Sequence, residues 1–125
     1  MNCEHGVRKQ SCACCSPHLV YKTYQRSASV RHLSFNLAMA EFIALVNGQC
    51  QYCGAFPARG IDRRNNALGY ENFNAVSCCR DCNRLKGSMS EFTFLAQVQS
   101  IARWQEELRK QRFQEELRKR QAKIA

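Results

Sequence analysis

The spacing of the cysteines constrains this chain more than any other feature. Two pairs, Cys50/Cys53 and Cys79/Cys82, have the spacing C-x2-C, and 25 residues separate them. A C-x2-C turn directs two thiolates to one point, and two such turns complete a tetrahedral S4 site that suits zinc. The alternative is four buried, reduced cysteines whose spacing is accidental. We predict a structural zinc site made of these four cysteines.

A second cluster of metal-ligating residues lies at the N-terminus. Cys3, His5, Cys12 and Cys15 form a C-x-H-x6-C-x2-C set, which again offers four ligands for tetrahedral zinc. Cys14 could replace one of these ligands, and an untethered cysteine-rich tail is the alternative to a site. We expect residues 1–16 to be a small zinc knuckle that does not fold without its metal.

Charge and hydropathy limit the partners and the location of the chain. Lys and Arg outnumber Asp and Glu by 19 to 10, so the formal net charge is +9, which favours a polyanionic partner, usually nucleic acid. No apolar run is long enough to span a bilayer, so no membrane is expected. The first residues lack the apolar stretch of a signal peptide. We expect a protein that is not secreted and is intracellular, in the cytoplasm or nucleus of a host, or associated with a virion.

Turn signals and composition divide the chain into four segments: an N-terminal zinc knuckle at 1–16, an arm with an apolar helix at 17–48, a zinc-stapled unit at 49–89 and a long basic helix at 90–125. Residues 17–33 mix aromatic, basic and serine residues and are typical of a connecting arm. Ser34 then caps a helix over 35–46. Because this helix is almost wholly apolar, it packs in the core or docks on a partner.

Short strands and helices are expected beside the cysteine pairs. Turn signals leave room for strands near 59–63 and 73–77, which form a hairpin, and a helix begins around Asp81–Asn83. In the tail, RWQEELRKQ at 103–111 is duplicated as RFQEELRKR at 112–120. Nine residues advance a helix by about 900°, so the apolar pairs of the two copies face opposite ways and no heptad seam forms. The tail is either a solvated rod or a basic arm that lies along nucleic acid or another subunit.

The run GIDRRNNALGYENFNAVSCCRDCNRLKGSMS, which starts at Gly60, has an Asp at an expected strand end, a middle Asn and an Asn at the expected start of a helix. With this pattern, the segment from 50 to 88 resembles the core of HNH (ββα-metal) nucleases. Zinc-containing members of that family have two C-x2-C pairs around this unit. The N-terminal CEHG…CACC also resembles small zinc modules found beside such units in phage and large-virus proteins. The expected fold is a small, zinc-stabilised α+β fold with an HNH-like ββα core, an N-terminal zinc knuckle and a long C-terminal helix.

The resemblance implies roles for four polar residues. Asp62 and Asn83 would be ligands of a single Mg²⁺ or Mn²⁺ ion, and Asn74 would brace the loop. Lys86 would lie near the scissile or an adjacent phosphate. Oxygen ligands suit such a hard ion, which bridges the phosphate and stabilises the leaving oxygen. The zinc ions would be structural.

Arg63 departs from the family pattern, in which the histidine base stands at this position. Arginine stays protonated and cannot accept a proton from water, but it binds phosphate and stabilises transition-state charge. We therefore place Arg63 among the candidate catalytic residues. The candidate nucleic-acid contacts are Arg63, Arg64, Arg84 and Lys86. The histidines of the 17–33 arm, His18 and His32, could supply a substitute base.

Two functional hypotheses follow. The first is a metal-dependent DNA endonuclease that nicks or cuts phosphodiesters with an atypical or weakened active site. The second is a catalytically inactive protein that binds DNA or RNA or is a structural subunit of a larger assembly. In the latter case a partner protein would bind to helix 35–46 or to 90–125. Asp62, Asn74 and Asn83 favour the first hypothesis, and Arg63 favours the second. A zinc transcription factor that recognises bases is less favoured, because the chain has no C2H2 finger or helix-turn-helix. As the nucleic acid, DNA is favoured over RNA.

Overall fold

The computed structural model describes residues 1–124 and divides into two compact units. The first unit is Met1–Ser90, and the second is a single helix that begins at Glu91. The elements in chain order are a 3-10 turn (Lys9–Ser11), α1 (Pro17–Val30), α2 (Met39–Val46), β1 (Ile61–Arg63), β2 (Ala75–Ser77), α3 (Arg80–Lys86) and α4 (Glu91–Ile124). The predicted small α+β fold with a long C-terminal helix is confirmed.

Strands β1 and β2 and helix α3 form the predicted ββα unit. The strands are antiparallel, and Asp62 lies opposite Val76 in the centre of the pair. Cys79 caps α3, because its Sγ accepts a hydrogen bond from the backbone N–H of Cys82. Gly87, at φ 55°, ends α3 in a backbone conformation that favours glycine. The helix begins one residue earlier than predicted, directly after a cysteine of the zinc cluster.

The core of the first unit joins α1 and α2 to the hairpin. Ala28 of α1, Phe42 and Val46 of α2 and Ile61 of β1 are buried in one cluster. Tyr24 of α1 meets Phe42 edge-on, with ring centroids 5.5 Å apart. Contacts of this kind add about 0.5–1.5 kcal/mol beyond the burial of the rings. The strand that carries Asp62 is therefore anchored on a packed scaffold.

Residues 17–33 are not the connecting arm that the sequence suggests, because most of them form α1. Pro17 is in the first turn, where the missing N–H of proline costs no helical hydrogen bond. Tyr21, Tyr24 and Ala28 recur at spacings of three and four residues and pack on the core. The exposed face carries serine and basic residues, and these obscure the helical period in the sequence.

The helix expected over 35–46 also begins later than the sequence predicts. Phe35 forms a parallel bridge with Tyr70, so the chain is extended where the helix was expected. The hydroxyl of Ser34 donates to the carboxylate of Glu71, 2.7 Å away, and does not cap a helix. Pairing with a distant part of the chain thus overrides the local helical preference.

Helix α2 begins at Met39, where the side chain of Glu41 accepts a hydrogen bond from the backbone N–H of Ala38. Phe42 and Val46 on this helix are fully buried. Of the two readings that the sequence allows for this helix, the structure favours a core helix over an exposed docking surface.

Helix α4 is one continuous helix of 34 residues, about 51 Å long at a rise of 1.5 Å per residue. It confirms the predicted long C-terminal helix as far as residue 124, and residue 125 lies outside the described residues. Glu106 pairs with Arg109, and Glu115 pairs with Lys119. Of the helices within residues 1–124, none combines the length and the apolar content needed to cross a membrane.

Candidate functional site

The four cysteines of the two C-x2-C pairs converge as predicted. The Sγ atoms of Cys50, Cys53, Cys79 and Cys82 lie within 4.8 Å of one another, and those of Cys53 and Cys79 are 3.6 Å apart. Tetrahedral zinc with bonds of about 2.3 Å places two sulfurs about 3.8 Å apart, so this cluster fits a structural zinc ion. Burial opposes the ionisation of Cys50, but backbone N–H groups of Cys79, Cys53 and Tyr52 lower its pKa to about 6, which favours the metal-binding thiolate at neutral pH.

The N-terminal cluster also converges. The ligand atoms of Cys3, His5, Cys12 and Cys15 lie within 4.8 Å of one another. The Nδ1 atom of His5 is 3.7, 3.2 and 3.6 Å from the Sγ atoms of Cys3, Cys12 and Cys15. Tetrahedral zinc with sulfur and imidazole ligands requires about 3.6 Å between nitrogen and sulfur. This cluster therefore fits a second structural zinc ion.

Two cysteines lie outside both clusters. The thiol of Cys14 is 3.8 Å from the carbonyl oxygen of Val46, and that of Cys78 is 3.4 Å from the carbonyl oxygen of Cys79. Burial raises the pKa of both thiols, and the Asp62 carboxylate adds to the rise at Cys78. Both are uncharged structural cysteines, and the N-terminal cluster is complete without Cys14.

Asp62, the candidate metal ligand on β1, is buried and has two side-chain partners. Its Oδ2 accepts a hydrogen bond from the hydroxyl of Tyr52 at 2.8 Å and lies 3.1 Å from the ammonium nitrogen of Lys86. The side chains of Lys86 and Asp62 are 0% and 8% exposed. The ammonium also donates to the carbonyl of Arg63 at 3.0 Å. A buried ion pair thus links β1 to the end of α3.

This ion pair corrects the expected role of Lys86. A fully buried ammonium that is engaged by a carboxylate and a carbonyl is not on the surface to contact a phosphate. Lys86 is instead the counter-ion of Asp62, which would otherwise be a buried charge without an opposite charge beside it.

Asn83 lies on α3 directly after the zinc-cluster residue Cys82. Its Nδ2 donates to the carbonyl of Ile61, the residue before Asp62, at 3.3 Å. With the amide nitrogen engaged, Asn83 offers its side-chain oxygen to a ligand. The oxygens of Asp62 and Asn83 are the donors that Mg²⁺ or Mn²⁺ prefers, so the residues fit such an ion. An ion bound there would compete with Lys86 for the charge of Asp62.

Asn74 braces the loop between β1 and β2 through three side-chain hydrogen bonds. Its Oδ1 accepts a hydrogen bond from the backbone N–H of Asn65 at 2.9 Å, and its Nδ2 donates to the carbonyls of Asn65 and Gly69 at 3.1 and 2.9 Å. Gly69 is packed so closely that a Cβ would lie 2.7 Å from the backbone nitrogen of Ser34. The loop is therefore held in one conformation.

Arg63 braces the same loop from the other end. Its Nη1 donates to the carbonyls of Asn66 and Leu68 at 2.8 and 2.7 Å. The guanidinium carbon is 5.6 Å from the centroid of the Tyr70 ring, within the range of a cation–π contact. These contacts give Arg63 a structural role that the sequence does not indicate.

The remaining candidates lie on the surface. Arg64 and Arg84 are exposed. His18 in the first turn of α1 and His32 in the turn after α1 are also exposed. Within residues 1–124, the side chains that hydrogen-bond to Asp62 are those of Tyr52 and Lys86, so neither histidine is placed as a base against it.

Comparison with known proteins addresses the fold. No protein-family model matches the chain. The solved structure of the rare-cutting HNH restriction endonuclease PacI is similar, with a TM-score of 0.54 and 21% sequence identity, and the match covers 68% of this chain and 75% of that chain. The fold is HNH-like. An uncharacterized protein of Acanthamoeba polyphaga mimivirus, R423, is 36% identical over 87 residues, or 67% of this chain, and the match spans only 16% of that relative's length.

Two residues of the HNH-like unit were missed by the sequence analysis. Tyr52 lies between Cys50 and Cys53, and this position next to two metal ligands is a signal that could have marked it. Arg59 has a positive φ of 70°, and its Nη1 donates to the carbonyl of His5 at 2.6 Å. That contact spans 54 residues, and no local pattern in the sequence indicates it.

Proposed function

We propose that the protein is a metal-dependent nuclease of the HNH type that nicks or cuts phosphodiester bonds in DNA. The observation that carries this proposal is the placement of Asp62 on β1 and Asn83 on α3 beside a zinc-type cluster, within an HNH-like fold. The formal net charge of +9 favours a polyanionic substrate. The fold neighbour is a restriction endonuclease, which supports DNA over RNA.

In this mechanism, Asp62 and Asn83 would hold the divalent ion. When bound, Mg²⁺ or Mn²⁺ supplies positive charge that polarises the phosphate and stabilises the leaving oxygen. The zinc clusters are structural, because the protein occupies all four positions of each. Their cysteines fix Asn83, which follows Cys82, and Tyr52, which lies between two ligands.

We assign proton transfer to Tyr52 and not to Arg63. The Tyr52 hydroxyl lies 2.8 Å from Oδ2 of Asp62, a residue that would hold the ion. A tyrosine hydroxyl can give its proton to a leaving oxygen as a general acid and accepts one only after it has ionised, whereas a guanidinium accepts none at ordinary pH. Arg63 then acts by positioning the loop through its bonds to Asn66 and Leu68.

A plasmid-nicking assay tests the nuclease proposal. Supercoiled DNA is incubated with zinc-loaded protein in Mg²⁺ or Mn²⁺ and without either ion, and the Asp62→Ala, Asn83→Ala double variant is the control. We expect nicking that requires the divalent ion and is absent in the double variant. Nicking of equal rate in that variant would show that the cleavage does not come from this site.

A conservative substitution tests the assignment of Tyr52. Tyr52→Phe removes the hydroxyl, and we expect the nicking rate to fall by about 10²-fold or more, the lower end of general acid–base effects. Tyr21→Phe is the matched control, because it also removes one hydroxyl hydrogen bond, to the carbonyl of Leu37 at 2.6 Å. If both variants nick at the wild-type rate, Tyr52 does not transfer the proton.

A catalytically inactive subunit that binds DNA or RNA, or holds an assembly together, is the second candidate. The ion pair of Lys86 with Asp62 and the arginine at the base position favour it. DNA binding that weakens with salt, without cleavage, would support this function. Without any binding, a protein partner on α4, where Trp104 and Phe113 are exposed, becomes the better explanation. We expect either function to be exerted inside a host cell or in a virion.

A further inference from the structure

We propose that the N-terminal zinc module, residues 1–16, forms one wall of a groove that binds the phosphate backbone of DNA beside the candidate active site. This inference rests on the proposed nucleic-acid function and assigns the module a part in it. The module is thus a component of the substrate-binding surface.

The groove is a cavity of about 400 Å³ whose lining residues come from the module and from the rest of the first unit. Val7, Ser11, Cys12 and Ala13 belong to the module. The remaining lining residues are Tyr24 of α1, Cys78, and residues of α3 and of the segment that leads into β1, among them Arg59, Arg80, Asn83 and Arg84.

The charge of the lining suits a phosphate. Three of the residues that line the groove are arginines, and none of its described lining residues is acidic. Arg80 and Arg84 are exposed and lie one turn apart on α3, with a rise of about 6 Å between them. Guanidinium groups bind phosphate oxygens in a bidentate geometry. A second groove between the zinc clusters, of about 810 Å³, is lined by Glu4 and Asp81 as well, so it is less suited to an anion.

Arg59 links the N-terminal zinc module to the HNH-like unit at 49–89 through a hydrogen bond. A non-glycine residue at φ 70° carries a backbone cost of about 1–2 kcal/mol, which its side chain must offset. That side chain donates to the carbonyl of His5, a ligand residue of the N-terminal cluster, at 2.6 Å. The backbone N–H of Arg59 also donates to the carbonyl of Val46 at 2.8 Å. The module is therefore held against the chain only three positions before Asp62.

Asn83 connects the groove to the candidate active site. It lines the groove and also donates to the carbonyl of Ile61 on β1. A DNA strand whose phosphates contact Arg80 and Arg84 thus passes the residue that we propose as a metal ligand. The groove therefore positions the backbone next to the scissile phosphodiester.

Fluorescence anisotropy with a labelled duplex DNA, at several salt concentrations, tests this assignment. The full-length, zinc-loaded chain is compared with the Arg80→Gln, Arg84→Gln variant. The matched control is Lys22→Gln, Arg26→Gln, which removes the same charge from exposed positions of α1 outside the groove. We expect the groove variant to bind at least 10-fold more weakly and to lose about 1.8 units of salt slope, as for two phosphate contacts. The control should change the affinity less than twofold.

A third variant, Arg59→Gly, tests whether the N-terminal zinc module contributes to DNA binding. Glycine tolerates the positive φ, so the backbone is retained while the bond to His5 is lost. We expect DNA affinity to fall at least fivefold while two zinc ions per chain are still measured by native mass spectrometry. Unchanged affinity would overturn the role of the module as a wall.

The outcomes separate the two proposals. Suppose that the wild-type chain binds DNA but that the Arg80→Gln, Arg84→Gln variant and the control variant weaken binding equally. The proposed role of the groove is then overturned, and the proposed function stands. If the wild-type chain binds neither DNA nor the matching RNA, the nucleic-acid function and the groove are both overturned. Preferential binding of the RNA would overturn the assignment of DNA as the ligand.

Discussion

Replacing Lys86 by methionine is the sharpest test of the buried ion pair. Methionine has a similar length, so it fills the space of the lysine stem but leaves Oδ2 of Asp62 without the ammonium that lies 3.1 Å away. The Asp62 side chain is 8% exposed, so water restores little of the lost interaction. The variant therefore retains a buried carboxylate whose remaining side-chain partner is the hydroxyl of Tyr52.

We expect Lys86→Met to destabilise the first unit by about 3–5 kcal/mol, the usual cost of removing one partner of a buried pair. For a unit of 90 residues, this corresponds to a fall in Tm of about 12 °C or more. Near-UV circular dichroism of the zinc-loaded protein follows this unit, because packed rings such as Tyr24 and Phe42 lie in its core. The double variant Lys86→Met, Asp62→Asn removes both charges and should recover most of the lost stability.

Divalent ions provide a second arm of the same experiment. In Lys86→Met, Mn²⁺ or Mg²⁺ can take the place of the missing counter-ion, and at 100 times its Kd it should restore about 2.7 kcal/mol. The double variant should not respond, because Asp62 is no longer charged. A loss below about 1 kcal/mol in Lys86→Met, or a double variant whose loss equals the sum of the single losses, would refute the reasoning about the ion pair. Equal stabilisation by Mn²⁺ in all variants would refute the metal site.

Three further predictions follow from the same contacts. Asn74→Ala removes three loop hydrogen bonds and should cost about 2–3 kcal/mol in urea denaturation, and a loss below about 0.5 kcal/mol would mean that the loop is held by other contacts. Gly69→Ala places a Cβ 2.7 Å from the backbone nitrogen of Ser34 and should lower the Tm measurably in a thermal melt, whereas an unchanged Tm would contradict the close packing. Removal of zinc by a chelator should unfold 50–88, because so small a segment has no adequate apolar core, and unchanged circular dichroism and melting after metal loss would contradict this.

The parts of the fold that the sequence predicts are those set by short-range constraints. Each C-x2-C pair fixes its own turn, so the zinc cluster follows from spacing, and α3 begins at Arg80, within one residue of the predicted start. The N-terminal cluster is also local, since its ligands lie within the first 15 residues.

The parts that the sequence does not predict depend on contacts between distant residues. Lys86 in a basic stretch looks exposed, and only the closure of α3 onto β1 pairs it with Asp62, 24 positions earlier. Phe35 is extended because it pairs with Tyr70, although its neighbours favour a helix. The hydrogen bond between Arg59 and His5 likewise forms only when the N-terminal zinc module contacts the HNH-like unit.

The position of Arg63 changes what its replacement by histidine should do. If histidine simply restored the catalytic base, Arg63→His would raise the rate of any Mg²⁺-dependent cleavage. In the structure, however, Arg63 holds the carbonyls of Asn66 and Leu68 and lies over the Tyr70 ring. The imidazole cannot make both carbonyl bonds, so we expect a loss of loop order to accompany the new base, which thermal melting and nicking together would detect. A rise in rate with an unchanged Tm would instead mean that the loop does not depend on the guanidinium.

The adjacency of zinc ligands and candidate catalytic residues decides how the metal dependence must be measured. Tyr52 stands between two ligands and Asn83 follows Cys82, so loss of zinc would displace both residues even if zinc takes no part in the chemistry. Loss of nicking in EDTA therefore does not distinguish a catalytic ion from a structural one. The discriminating comparison keeps zinc bound and varies only Mn²⁺, in the wild type and in Asp62→Asn. Nicking that follows Mn²⁺ in the wild type alone would assign the chemistry to the ion at Asp62, and nicking independent of added Mn²⁺ in the zinc-loaded wild type would contradict that assignment.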